Sequence, residues 1–147
     1  MKRSWLKRKT PYKKAPVKFS RISKKPRKKP SDSISVLKKR ADAVFSLWVR
    51  ARDSGVCFTC GVQKPTSQMQ NGHYVSRAHN SLRYDERNCH CQCVSCNVFR
   101  HGNMDVYALR LQEKYGPTIL QDLDREKKKI KQLTKEDLHA IINKYGE

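Results

Sequence analysis

The chain has 147 residues, 37% hydrophobic and 31% charged, with a formal net charge of +20 at pH 7. That length suits one modest domain whose small core needs a staple. No run approaches the roughly 18 apolar residues of a membrane span, and no apolar stretch follows the basic amino terminus, so neither a membrane protein nor a secreted disulfide scaffold is expected.

Residues 1–30 hold 14 of the 33 Lys and Arg and no acidic residue, leaving 19 basic against 13 acidic residues in the remainder. Four of the six prolines also lie there, and few apolar side chains do. This composition predicts a disordered basic arm over 1–30 and a folded domain over 31–147. Polyphosphate is the partner such an arm selects, and Trp5, Tyr12 and Phe19 stand where they could stack on unpaired bases.

Ser31 to Ser54 reads as a helix. Ile34, Leu37, Ala41, Val44, Phe45 and Trp48 recur at three- and four-residue steps, Ser31 or Ser33 is placed to cap it, and Gly55 to stop it. Its apolar face is expected to pack on the segment that follows. Cys57-x-x-Cys60 and Cys93-x-x-Cys96, 32 residues apart, have the spacing of a tetrahedral Zn²⁺ site, and with no export signal they indicate metal in preference to disulfides. Between the pairs, Met69 to Val75 predicts a hairpin strand carrying His73 near its end, and Cys89 to Gln92 its partner. Cys96 to Arg100 predicts the start of a helix. Cys89 and Cys91 lack the two-residue spacing and are expected to be buried thiols. Asn103 to Tyr115 predicts a helix ending at Gly116, Pro117 opens another to about Leu133, and Thr134 with Asp137 predicts a capping box on a last helix.

The order strand, loop, strand, helix across a zinc module has chemical content. Phosphodiester hydrolysis needs a base to activate water and a hard divalent cation to neutralise charge on the phosphate. His73 supplies a neutral imidazole and Asn97, directly after the last cysteine, an amide oxygen. Asn88 is placed to tie down the loop that orients His73. Arg77, Arg83, Arg87 and Arg100 surround these positions and suit phosphate oxygens. His79, His90 and His101 carry no role on this reading.

At His73, Asn88 and Asn97 the chain resembles the HNH, or His-Me finger, nucleases. The runs Gly72-His73-Tyr74, Leu82 to Asn88, Gln92 to Asn97 and Gly102-Asn103 are similar to the NinG (Rap) recombination endonucleases of lambdoid phages. The resemblance covers about residues 32–147. It implies an α+β fold with a zinc-stapled ββα-metal core, flanking helices, and cleavage of branched DNA such as Holliday junctions and D-loops in the cytoplasm of a bacterial host. His73 is then the general base, Asn88 the loop residue, and Asn97 a ligand of a catalytic Mg²⁺ or Mn²⁺ separate from the structural zinc. A homodimer and recombination proteins are the partners it suggests. Many HNH nucleases carry an acidic metal ligand immediately before the catalytic His, where this chain has Gly72. Asp85 and Glu86 are the first candidates to fill that place, ahead of His101 or water. The alternative expectation is a non-enzymatic zinc ribbon that binds DNA or RNA.

Overall fold

A computed structural model describes residues 32–146. The basic arm, with Trp5, Tyr12 and Phe19, lies outside the described residues. The first helix among the described residues, α1 (Ile34–Arg52), buries Leu37, Ala41, Phe45 and Val49, a stripe of four-residue steps. Ser33 stands at its N-cap, with its hydroxyl 3.2 Å from that of Ser35. The helix stops where Ser54 and Gly55 both take left-handed backbone angles, φ 51° and 67°. At Gly55 a side chain would strike the Lys64 carbonyl, so glycine is required.

Two short antiparallel strands follow, β1 (Met69–His73) and β2 (Cys89–Cys93), in register Met69 to Cys93 and His73 to Cys89. Strand alternation sorts their side chains. Met69, Asn71, His73, Cys89, Cys91 and Cys93 share one face, and Gln70, Gly72, His90 and Gln92 the other. The first face meets the C-terminal half of α1, where Phe45 and Val49 cluster with Cys89 and Tyr145. The N-terminal half of α1 does not reach the hairpin. Leu37 and Ala41 pack instead on Leu133, Leu138 and Ile142 of the C-terminal region, which splits the expected docking of α1 between two partners. Trp48 is half-buried at the edge, 4.8 Å from the Tyr145 ring with the Arg52 guanidinium over it.

The second face is covered by α2 (Met104–Tyr115), through the fully buried Tyr107. Its hydroxyl reaches the Gly72 and Asn88 carbonyls, at 3.2 and 3.3 Å. Between β2 and α2 the chain makes a five-residue π-helical turn, Ser95–Phe99, where an ordinary helix start was expected. The next helix, α3 (Ile119–Lys127), is shorter than the expected run to Leu133. Its continuation is Lys128, Lys129 and Ile130, the last 97% exposed, so nothing apolar rewards another turn. The last helix, α4 (Lys135–Tyr145), opens on the capping box expected at Thr134 and Asp137. No helix among the described residues is long and apolar enough to cross a membrane.

Gly72 has a packing reason. A Cβ there would collide with the amide of Gln92, which is fully buried and donates to the Gly102 carbonyl at 2.7 Å and the Thr59 hydroxyl at 3.2 Å. Gln92 cannot swing away without losing both. Gly72→Ala is therefore expected to lower stability by about 1–3 kcal/mol, read as a lower midpoint in urea with an unchanged slope.

Candidate metal centre and active-site groove

The two CxxC knuckles converge. The sulfurs of Cys57, Cys60, Cys93 and Cys96 all lie within 4.8 Å of one another, three of the residues buried and Cys60 exposed. Four sulfurs at about 2.3 Å from a tetrahedral zinc ion stand about 3.8 Å apart, and Cys60 and Cys93 are 3.8 Å apart. The donor set and its geometry fit zinc. Without a cation Cys60 competes with its neighbouring sulfurs for negative charge. Burial raises the Cys57 thiol, but the Thr59 hydroxyl and nearby backbone amides stabilise its thiolate and bring it down to about 6. Cys60 is pushed up to about 12 by burial and by its neighbouring thiols. A divalent ion removes that competition by stabilising all four thiolates together.

Cys89 and Cys91 stand apart from this cluster. Both are fully buried, and burial holds both thiols above their ordinary range. Cys89 Sγ donates to the Arg83 carbonyl at 3.7 Å, and Cys91 packs beside Met69. His90 is likewise a core residue: stacked on Phe58 at 3.9 Å between centroids, it has its two ring nitrogens 3.2 Å and 3.1 Å from the Tyr107 and Tyr115 hydroxyls. Burial and the Lys114 and Arg52 charges lower it to about 3, so it stays neutral.

Beside the metal centre lies an open groove of about 720 Å³. His73, Asn97, Arg77 and Arg83 line it, together with Asp42, Arg50 and His101. His73 Nε2 is 3.2 Å from the Arg83 carbonyl. A carbonyl only accepts, so Nε2 carries the proton and Nδ1 keeps its lone pair. Burial, opposed by that hydrogen bond and assisted by the Arg77 and Arg83 charges, lowers the His73 pKa and favours the neutral ring. Asn97 donates its amide nitrogen to Gln70 Oε1 at 2.7 Å, which leaves the oxygen as the atom it has to offer. His73 belongs to the face of β1 turned toward α1, whereas Asn97 binds Gln70 on the opposite face. The two share the groove across β1 and do not share one face of the hairpin.

Asn88 is 0% exposed and sits behind the groove. Its side chain accepts from the Val75 amide at 2.7 Å and donates to the Val75 and Leu82 carbonyls at 2.9 and 3.0 Å. It therefore clamps both ends of the 74–88 connection. Asn88→Ala orphans three backbone groups, two part-buried and one buried, and is expected to cost more than about 2 kcal/mol, with an earlier thermal transition.

The remaining sequence candidates are placed elsewhere. Asp85 is held by Arg87, at 2.7 Å between Oδ2 and the guanidinium, and Glu86 accepts from Lys144 and Tyr145 of α4 at 3.0 and 2.8 Å. Neither carboxylate lines the groove, nor do Arg87 and Arg100. The carboxylate that does is Asp42 of α1, paired with both nitrogens of the Arg83 fork and with the Tyr84 hydroxyl at 2.9 Å. Arg50, the other charged lining residue that sequence reasoning passed over, is anchored to the Thr66 and Met69 carbonyls at 2.8 and 3.3 Å. Only their polar positions within the apolar period of α1 marked them, a weak signal. Gly72 faces Gln92 and not the groove, so Gly72→Asp is expected to bury a carboxylate without adding a ligand.

Fold and site together define a class: a small α+β protein with a two-stranded sheet, flanking helices and a four-cysteine cluster consistent with a zinc-binding, nuclease-like core. The family model for the bacteriophage lambda NinG protein matches residues 1–147, and the chain belongs to the NinG family. It is 34% identical over 109 residues to protein ninG of Salmonella phage P22, covering 73% of this chain and 53% of that protein. Against protein ninG of Escherichia phage lambda it is 33% identical over 88 residues, 58% of this chain and 43% of that protein. The chain thus matches about half the length of these curated relatives. No solved structure matches it.

Proposed function

We propose that the protein is a zinc-stapled, divalent-metal-dependent DNA endonuclease with an HNH-like ββα-metal arrangement, acting on branched recombination intermediates in a phage-infected bacterial cell. One observation carries this reading above the others. His73 holds a neutral imidazole with Nε2–H committed to a backbone carbonyl and Nδ1 uncommitted, inside an open groove lined by arginines. A neutral nitrogen lone pair beside cationic side chains is what water-mediated attack on a phosphodiester requires.

In this mechanism His73 Nδ1 takes a proton from the attacking water, and the Arg83 carbonyl keeps the ring in the tautomer that leaves Nδ1 unprotonated. Arg77, whose guanidinium lies exposed on the groove wall, meets phosphate oxygens. Arg83 is engaged by Asp42, so it orients the wall and the His73 partner carbonyl. Asn88 holds the connection that carries Arg83. A bound Mg²⁺ or Mn²⁺ supplies charge neutralisation at the phosphate. Asn97 would hold it through the amide oxygen, with substrate oxygens and water completing a shell that for Mg²⁺ needs few protein donors. Asp85 and Glu86 serve the connection and α4 in this scheme.

The decisive measurement is cleavage of a four-way junction, a D-loop and linear duplex by zinc-loaded protein, with Mg²⁺, with Mn²⁺ and with neither. Divalent-dependent cutting of the branched substrates is the expected result. Tight binding with no cutting under any metal would favour the non-enzymatic zinc-ribbon reading, to which the absence of Asp85 and Glu86 from the groove lends some weight. Structured RNA at matched salt tests the RNA-binding form of that reading.

A further inference from the structure

The π-helical turn carries a feature that folding does not explain. Phe99, at its end, is 76% exposed, and Val94, Val98 and Met104 around it are exposed as well. A flexible loop would be free to fold such a ring inward, but this segment is held on several sides. Cys96 belongs to the metal cluster, Gly102 N–H donates to the Cys96 carbonyl at 2.9 Å, and Arg100 N–H donates to the Ser95 carbonyl at 2.9 Å. Gln92 fastens the Gly102 carbonyl from the other side. Phe99 is therefore presented outward on a stiff support, and π-helical turns of this kind occur frequently at functional sites.

The surroundings of the ring select its occupant. Arg100 follows it, exposed, while Asn97 and His101 of the same segment line the groove. No acidic residue occurs between Glu86 and Asp105. An apolar ring beside a cation, in a segment without carboxylates, matches a nucleobase, whose face stacks while a flanking phosphate meets the charge. Bases within an intact duplex offer no free face, whereas a branch point does. We infer that Phe99 is a stacking platform for an unpaired base at a DNA branch, a specificity element that sets the neighbouring phosphate at the groove. The inference rests on the nuclease reading for its substrate, yet it is read out by binding alone.

The test uses the full zinc-loaded chain and its Phe99→Ala and Phe99→Trp variants, without added Mg²⁺ and at one fixed salt concentration. The ligands are a four-way junction carrying 2-aminopurine at the crossover and a linear duplex of matched sequence. Wild type and Phe99→Trp should change the 2-aminopurine fluorescence and prefer the junction. Phe99→Ala should lose the fluorescence change and reduce the junction-over-duplex affinity ratio on the order of tenfold, as expected for one stacked base. Its duplex affinity and zinc content should be unchanged. A Phe99→Ala protein that keeps both the ratio and the fluorescence change overturns the inference. So does a free wild-type dimer, seen by sedimentation, that becomes monomeric on this substitution, because the ring would then be a contact between copies. Wild type that gives the fluorescence change but never cuts with Mg²⁺ sinks the nuclease reading and leaves the stacking role standing. Cutting with a neutral Phe99→Ala does the reverse.

Discussion

A Cys93→Ser protein is expected to lose its bound zinc and its cooperative thermal transition together. The apolar interior is divided into small clusters, and the one joining the knuckles to the hairpin consists of Met69 and four cysteines, Cys57, Cys91, Cys93 and Cys96. Three of those four belong to the four-cysteine cluster suited to a metal, so that part of the core has little cohesion of its own. Structural zinc contributes about 10–16 kcal/mol of apparent binding free energy, comparable to the about 5–15 kcal/mol that stabilises a typical domain. Metal content by elemental analysis and a melt followed by circular dichroism check this. A zinc-free variant that still melts cooperatively within a few degrees of wild type would show that the helices hold the fold unaided.

His73→Ala is expected to lower single-turnover cleavage of a four-way junction by about 10²–10⁴-fold, the range for losing a general base. Zinc content and junction affinity should hardly change, since the imidazole makes one described hydrogen bond, to the Arg83 carbonyl. The pH profile adds a sign. Burial lowers the His73 pKa from its ordinary value of 6.5, so the reactive neutral ring persists to more acidic pH than for an exposed histidine. The acid limb of wild-type cleavage should accordingly fall below pH 6.5 and be absent from the residual rate of His73→Ala. The same depression disfavours protonation in the folded state. The corresponding stability is present above pH 6.5 and is lost as pH falls through the lowered value. An unchanged cleavage rate in His73→Ala would remove this residue from the chemistry.

Short-range signals carried much of the architecture. Thr134 and Asp137 announce a helix start within four residues, the CxxC pairs announce a shared metal, and Pro65 with the polar loop before Met69, followed by the segment from Cys89 to Gln92, announces a hairpin. What the sequence did not disclose depends on contacts distant along the chain. Asp42 and Arg83 are 41 residues apart, and nothing local couples them. Gly72 looks like a missing ligand until Gln92 is seen filling the space beside it. Asp85 and Glu86 read as free carboxylates because their partners, a side chain that curls back and a helix nearly sixty residues on, are decided by tertiary packing. The strand period alone separates His73 from Gln70, but only the observed hydrogen bond shows that Asn97 adopts the Gln70 face.

The pairing of α1 with α4 bears on how the chain is made. Contacts between Leu37 and Leu138, near opposite ends of the described residues, raise the contact order and slow the final closure. On a ribosome, Leu37 and Ala41 emerge roughly a hundred residues before Leu138 and Ile142, so this end of α1 is among the last parts of the described fold to be sheltered. During that interval Leu37 and Ala41 face solvent, chaperones and proteases. A nascent chain stalled before α4 is thus expected to be cut by protease sooner than the finished protein.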